Sequence, residues 1–215
     1  MVPVNFGDWN LVNRFIIPLI YSHGQDLNQA PVDPLLTEHS QINDLVGGDV
    51  FGLADITYQA FLSPAKPGKV IWGVGGAFVL PAATDDRYAS DKWSAGPAFV
   101  ALTMPGNWVI GCLAQNVWSY AGSGDTDVNK LLFQYFINYN LPNGWYLSST
   151  PSITANWEAD NDDRWTVPFG GGVGKIIKLN KMPIDVKLAG YWNADKPEFG
   201  PDWNLQFTIK FLFPK

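Results

Sequence analysis

The sequence predicts an all-β fold, an antiparallel up-and-down transmembrane β-barrel with about 10 strands in a single domain, residues 1–215. Three observations predict it. Apolar and polar residues alternate along most of the chain, and this period of two residues is typical of a strand with two different faces. Tight turns and longer polar links separate the strands in alternation. The ten tryptophans lie near the ends of the predicted strands, and none lies at mid-strand.

The predicted strands are long. Most exceed the five to six residues that are usual in soluble sheets, and a tilted strand that crosses a bilayer needs about 9–11 residues. In 203–213, for example, Trp203 and Leu205 take one face while Asn204 and Gln206 take the other. The predicted strands are 8–21, 51–63, 69–80, 93–104, 107–120, 128–141, 144–157, 164–178, 182–194 and 202–213.

The links between these strands differ in length in a regular way. The tight turns "SPAKPGK", "MPGN", "LPNG" and "LNKMP" alternate with longer links at 22–50, 81–92, 121–127, 158–163 and 195–201. In outer-membrane barrels the short turns face the periplasm and the longer loops face outward, so 22–50 is expected to be a long extracellular loop. Almost all acidic residues lie in or beside the longer links, which makes the expected outer rim acidic.

The tryptophans indicate where a membrane would meet water. Indole rings concentrate at the headgroup level because they combine an apolar body with one N–H that needs a polar partner. Tryptophans of an ordinary core would instead be scattered along the strands. The short-turn end has Trp9, Trp72, Trp108 and Trp145, and the long-loop end has Trp93, Trp118, Trp157, Trp165, Trp192 and Trp203.

The faces opposite the aromatic ones are expected to point into the lumen. Mixed charges and amides there would hold water and select solutes by hydrogen bonding and by their field. Alternatively, they pair with one another and fill a narrow barrel. The predicted lumen-facing residues are Arg14, Asp55, Thr57, Gln59, Gln134, Asn138, Tyr146, Thr150, Asn156, Gly170, Gly172, Gly174, Asp185, Lys187, Asn193, Gln206 and Lys210.

The stretch "FGGGVGK" at 169–175 first suggests a phosphate-binding loop. That motif needs Gly five positions before the Gly-Lys pair and Ser or Thr after it, whereas this chain has Phe169 and Ile176 there. On the strand alternation, Gly170, Gly172 and Gly174 face the lumen. Three inward glycines either widen the lumen or let the strand bend and accept a close approach of backbone or ligand.

A series of motifs also occurs along the chain in the order "FLSPAKPGKVIWGVG", "VLPAATDD", "VALTMPGNWVIG", "NYNLPNGWYLSS", "ITANWEAD", "WTVPFGGGVGK" and "GPDWNLQFTIKFLFPK". The series resembles the bacterial outer-membrane family labelled the MetA pathway of phenol degradation, also described as neuromedin U-like. The resemblance covers nearly the whole chain from about residue 8. It implies a β-barrel of Gram-negative outer membranes with a transport role, and it carries over no catalytic residues.

Two departures from that family stand out. The chain has "GLAD" at 52–55, where the family usually has Gly before the Asp. Family members, whose barrels are expected to have about 12 strands, also carry a leader and about two more strands before the equivalent of "DWNLVNRFIIPLIY". Residues 1–7 are therefore expected to be the remnant of a preceding strand in a shortened copy, and a signal peptide is expected to lie outside this sequence.

The remaining composition narrows the class of function. The net charge of −6 gives no reason to expect a nucleic-acid partner, and the single Cys112 and two histidines provide no metal cluster or catalytic triad. Loops such as "EADNDDR" do not fit a calcium-binding loop. We therefore expect no cofactor and no enzyme. Expected partners are lipid, lipopolysaccharide and a small-molecule solute. The alternatives are a soluble β-barrel or sandwich that binds a ligand and a non-conducting structural barrel.

Overall fold

The computed structural model describes residues 2–22, 50–84, 89–123, 127–179, 182–198 and 200–211. The predicted extracellular loop 22–50 therefore lies outside the described residues, apart from its two end residues. The described part is all-β, as the sequence predicts. Its strands are β1 Val2–Phe6, β2 Trp9–Ile16, β3 Leu19–Ser22, β4 Val50–Leu53, β5 Ile56–Pro64, β6 Val70–Leu80, β7 Lys92–Thr103, β8 Trp108–Gly122, β9 Asn129–Asn140, β10 Trp145–Ser149, β11 Ser152–Asn156, β12 Trp165–Leu179, β13 Met182–Asp195 and β14 Trp203–Phe211.

The strands form an antiparallel meander. The main sheet has 12 strands in the order β1-β2-β5-β6-β7-β8-β9-β10-β12-β13-β14, and β11 follows β10 in the same position between β9 and β12. Strand β3 pairs with β4 in a separate sheet. Because the pairing is antiparallel throughout and β10 and β11 share one position, β1 and β14 run in the same direction. Within the described residues the path begins at β1 and ends at β14, and no ladder joins these two strands.

The number of strands is higher than the predicted ten for two reasons. First, three predicted strands are each interrupted once. Two of the interruptions contain a proline, Pro18 or Pro151, which has no N–H to donate to a ladder. Second, the segment 1–7, predicted as the remnant of a strand, contains β1, which pairs with β2 from Val2 to Phe6. A tight turn joins the two strands, where Gly7 has a φ of 65°.

One face of the main sheet carries buried polar side chains beside a small apolar cluster, and the other face is apolar. The Gln59 side chain of β5 donates a hydrogen bond to the Gln115 side chain of β8, although two strands lie between them. In a flat sheet that separation is about 14 Å, which two perpendicular side chains would not span. The sheet therefore curves toward this side, which we call the concave face, and the opposite side is the convex face.

Part of the concave face is a small apolar cluster over β5 to β9. It consists of Phe61, Ala77, Ala98, Leu113, Val117 and Leu132. The convex face, in contrast, exposes large apolar side chains along nearly every strand, such as Phe78, Phe99, Ile110 and Leu205. Among the described residues, no helix is long and apolar enough to cross a membrane.

Candidate functional site

Most of the residues that the sequence predicts to face a lumen lie in strands and on the concave face, whereas Asp55 and Thr150 lie between strands. Strand register shows this directly, because residues paired across antiparallel strands point to the same side. Ser148, for example, pairs with Asn138 on β9 and with Gly172 on β12, which pairs in turn with Ala189 opposite Gln206. Outside the apolar cluster this face is polar and mostly buried, and many of its polar side chains form hydrogen bonds with one another across strands.

A chain of side-chain hydrogen bonds crosses the concave face from Arg14 on β2 to Gln115 on β8. Arg14 donates from Nη1 to Gln59 Oε1 at 3.3 Å, and Gln59 donates from Nε2 to Gln115 Oε1. Gln59 is 0% exposed, and Thr57 beside it is also buried. A buried amide without a partner would lower the stability of the fold by about 1–3 kcal/mol. These hydrogen bonds therefore give partners to the amides that the alternation of the strands turns inward.

Asp55 has a different role from its neighbours. Its carboxylate is 1% exposed and accepts hydrogen bonds from the backbone N–H groups of Ala82, Ala83 and Ser90, at 3.1, 3.3 and 3.0 Å. Oδ1 accepts the bonds from Ala82 and Ala83, and Oδ2 accepts both the bond from the Ser90 N–H and a bond from the Ser90 hydroxyl at 2.5 Å. The carboxylate thus holds both ends of the predicted link 81–92 against the top of β5, and these four donors occupy its oxygens.

The glycine stripe of β12 is covered by side chains from its neighbours. A Cβ atom on Gly174 would overlap the ring of Tyr146, which therefore lies directly over this residue. From there the Tyr146 hydroxyl donates to Asp185 Oδ1 on β13 at 2.6 Å. The absence of a side chain at Gly174 is what lets the phenol cross β12.

The other glycines of the stripe allow β12 and β13 to approach closely. A Cβ atom on Gly172 would overlap the backbone oxygen of Leu188 and lie 2.5 Å from the Cα atom of Ala189. The sequence allows either a wider lumen or a close approach at these glycines. In the described structure the backbone of β13 approaches Gly172 closely, and the ring of Tyr146 covers Gly174. At Gly170 the carbonyl accepts a hydrogen bond from Ser149 Oγ at 2.6 Å.

Thr150 lies at the centre of a second polar cluster, where the chain passes from β10 to β11. Lys187 crosses β12 from β13 and donates from Nζ to Thr150 Oγ1 at 3.1 Å. The Thr150 backbone N–H donates to the Tyr191 hydroxyl at 3.3 Å, and the two hydroxyls are 3.2 Å apart. Gln134 donates to Ser152 Oγ at 3.0 Å and to the Thr150 carbonyl at 3.5 Å.

The remaining predicted residues lie nearer the ends of the strands. The Asn193 side-chain amide donates to the Pro201 carbonyl at 2.7 Å, and Asn156 Oδ1 accepts from the Glu158 N–H at 3.2 Å. Asn138 is half-buried and Gln206 is exposed. Lys210 pairs with Asp185 in the ladder between β13 and β14.

The tryptophans make contacts at both ends of the strands. At the short-turn end Trp9 meets Trp72 edge to face at 6.1 Å, Trp108 packs on Tyr139 at 4.7 Å, and Lys175 lies 4.6 Å from the Trp145 ring centre. At the long-loop end Trp157 meets Trp165 at 5.5 Å and Arg164 at 5.9 Å. All ten tryptophans except Trp165 are exposed.

The residues of these clusters that sequence reasoning missed include Gln115 and Tyr191, besides the serines Ser90, Ser149 and Ser152. Gln115 takes the opposite face of β8 to Trp108 and Trp118 in the alternation of the sequence, and that was the available signal. Tyr191 shares its parity with Lys187 and Asn193, but aromatic residues were expected on the opposite face. Instead Tyr191 is 3% exposed and its hydroxyl completes the Thr150 cluster.

Comparison with known proteins identifies nothing similar. No family model matches the chain, and no curated protein or solved structure matches it. Within the part of the chain that the structure describes, no group of three or more His, Cys, Asp or Glu residues could hold a metal ion. The charged residues described on the concave face include Arg14, Asp55, Lys130, Asp185 and Lys187.

Proposed function

We propose that the chain forms a closed transmembrane β-barrel of a bacterial outer membrane that binds or passes small molecules through a polar interior. One observation carries the proposal, namely that the exposed face is apolar whereas the buried face carries many polar and charged side chains beside a small apolar cluster. Trp203 and Phe207 are 68% and 66% exposed, whereas Gln59 and Lys187 are 0% and 8% exposed. A soluble barrel or sandwich would need the reverse arrangement, since an exposed apolar surface of this extent is unfavourable in water.

The spacing of the girdles supports an outer membrane. Trp108 and Trp118 lie on the convex face of β8, ten residues apart. At about 3.4 Å per residue they are about 34 Å apart along the strand, and a tilt of about 40° reduces the height to about 26 Å. This height agrees with the apolar band of about 25 Å that outer-membrane barrels present to lipid.

Closure is part of the proposal. Because β1 and β14 run in the same direction, a ladder formed directly between them would be parallel.

The order of the motifs, read as a family resemblance, also favours a transport barrel, and membership of that family is likewise proposed.

Fractionation tests the membrane location. After expression in a Gram-negative host with a secretion leader, we expect the protein in the outer-membrane fraction, extracted only by detergent. Phe99→Arg should reduce insertion by about 2–4 kcal/mol, because Phe99 pairs with Ala114 about halfway between the two tryptophans of β8. Phe99→Leu is the matched control. Recovery of the wild type in the soluble fraction without detergent would refute the proposal.

A non-conducting barrel is a second candidate, and the dense packing over β5 to β9 favours it. Planar-bilayer recordings separate the two functions. A conducting barrel should show single-channel current, and Lys187→Glu should shift its ion preference toward cations. Insertion without current would support the non-conducting barrel.

A further inference from the structure

Two buried amide oxygens lie on adjacent strands near the long-loop end of the main sheet. Asn193 Oδ1 on β13 and Asn204 Oδ1 on β14 are shielded from solvent, and neither accepts a hydrogen bond from any described residue. Asn193 is 6% exposed, and its amide has a fixed orientation because Nδ2 donates to the Pro201 carbonyl at 2.7 Å. A buried acceptor without a donor is unfavourable, since it has lost its hydrogen bonds to water without replacement.

The two asparagines are neighbours on the concave face. In the ladder between β13 and β14, Asn204 pairs with Tyr191, which is two residues from Asn193. Residues two positions apart on a strand point to the same side, so both amides belong to one face. Diagonal neighbours on antiparallel strands are about 7 Å apart, which leaves room for one small donor group between the two oxygens. Asn204 is half-buried, so the pair can be reached from the concave side.

The acidic rim of the long-loop end lies beside these oxygens. The link 195–201 is bonded to Asn193 through the Pro201 carbonyl, and its Glu198 N–H donates to Asp163 Oδ1 in the neighbouring link at 2.7 Å. The two links and the residue after each of them, 158–164 and 195–202, contain seven acidic residues and two basic ones. The two unpaired acceptors are therefore next to a region of net negative charge.

The two basic residues of this rim do not neutralise it. Lys196 forms an ion pair with Asp202 at 3.4 Å, and the Arg164 guanidinium lies 5.9 Å from the centre of the Trp157 ring. The other acidic residues of these segments leave an excess of negative charge, which attracts cations and repels anions. Unpaired acceptors in such a field favour a donor that carries a positive charge over a neutral hydroxyl group.

We propose that Asn193 and Asn204 bind the protonated amino group of a small cationic solute. A primary ammonium group has three N–H donors and no acceptor, so it can donate to both oxygens and keep one donor for water. Its hydrogen bonds are charge-assisted and therefore stronger than those of a hydroxyl group. This inference rests on the proposed function, because a solute meets these residues where it enters or leaves the interior of the barrel.

Fluorine NMR in non-ionic detergent micelles at neutral pH tests the site, with protonated 3,3,3-trifluoropropylamine as the probe. We expect the wild type to broaden the amine resonance and not that of the neutral 3,3,3-trifluoropropanol. Asn204→Leu should weaken the amine affinity about tenfold or more, because it removes one of the two acceptors, whereas Asn204→Asp should retain it. Asn138→Leu is the matched control, since Asn138 is a half-buried asparagine on β9, and it should bind like the wild type.

The possible outcomes separate this site from the proposed function. Folding of each variant is checked by heat-modifiable migration in electrophoresis, and Asn193→Leu provides a second variant that should lose affinity. Wild-type amine binding by folded Asn204→Leu, or equal losses in Asn204→Leu and Asn138→Leu, would overturn the site. Equal broadening of the amine and alcohol resonances would overturn its selectivity for a cation. Absence of any wild-type broadening would also overturn the site, yet uptake of neutral sugars by vesicles containing the protein would still support the barrel function.

Discussion

The two halves of the concave face are filled by different kinds of side-chain contact. Over β5 to β9 an apolar cluster fills the space, and a single amide pair, Gln59 and Gln115, crosses it. Over β10 to β13 the contacts are polar, from Tyr146 to Asp185 in one direction and from Lys187 to Thr150 in the other. Both halves consist of long antiparallel strands with the same alternation, so strand geometry does not cause the difference.

The difference follows from the small residues between the crossing side chains. The Gln59 side chain passes the position of Ala77, with which it pairs, and Gln115 pairs with Ala98, so alanines lie beneath the amide crossing. In the other half the intervening strand has glycines, which leave room for a whole phenol ring. Small residues on an intervening strand thus decide which polar groups meet. The glycine half should therefore be the more sensitive of the two to added volume.

The largest expected effect is from Gly172→Ala. The added Cβ atom would overlap the backbone of β13, which cannot move without breaking its ladder, so the free energy of unfolding should fall by about 3 kcal/mol or more. Chemical unfolding in detergent micelles measures it. Gly190→Ala is the control, because its Cβ atom would meet only Leu205 Cδ1 at 3.9 Å. Equal effects of the two substitutions would contradict the close approach at Gly172.

A smaller effect is expected from Tyr146→Phe. The ring still covers Gly174, but Asp185 loses the hydroxyl that donates to it, so the loss should be about 1.5–3 kcal/mol. Tyr139→Phe is the matched control, since the contact described for Tyr139 is its ring packing on Trp108, and it should change stability by less than about 0.5 kcal/mol. If both variants behave alike, the bond between Tyr146 and Asp185 does not stabilise the fold.

The smallest net effect should come from replacing both glutamines of the apolar half. Gln59→Leu and Gln115→Leu alone each leave a buried amide without its partner and should cost about 1–3 kcal/mol. The double variant should cost clearly less than the sum, because the bond between the two amides is lost only once and two leucines extend the neighbouring apolar cluster, although Arg14 still loses the Gln59 Oε1 acceptor. A double-mutant cycle measures the coupling. Strict additivity would mean that the two amides do not depend on each other.

Much of the fold could be predicted from the sequence alone. Period-two alternation predicted the strands, and the ten predicted stretches correspond to strands of the structure, three of them interrupted. Position along a strand also indicates which side chains share a face, although Tyr191 lies on the face where aromatic residues were not expected. The interruption at Pro151 was missed because a single proline leaves the alternation on both sides unchanged. The strand β1 was predicted only as a remnant, because five residues give a weak pattern.

The contacts of the candidate site could not be predicted in the same way. Parity placed Gln59, Tyr146 and Asp185 on one face but gave no partner for any of them. It also missed that the Asp55 carboxylate is occupied by backbone N–H groups from a link 27 to 35 residues further along the chain. Backbone donors have no signature in the sequence, so no reading of residue types would have found this arrangement.

By itself, therefore, the sequence determined the two faces of the sheet, because side chains alternate with a period that is local to each strand. The tertiary structure decided which side chains of the polar face meet, because that depends on curvature and register between distant strands. Gln59 and Gln115 are 56 residues apart in the chain, and Tyr146 and Asp185 are 39 residues apart. The glycine stripe combines both levels, since its position is visible in the sequence but the phenol that covers it appears only when β10, β12 and β13 lie side by side.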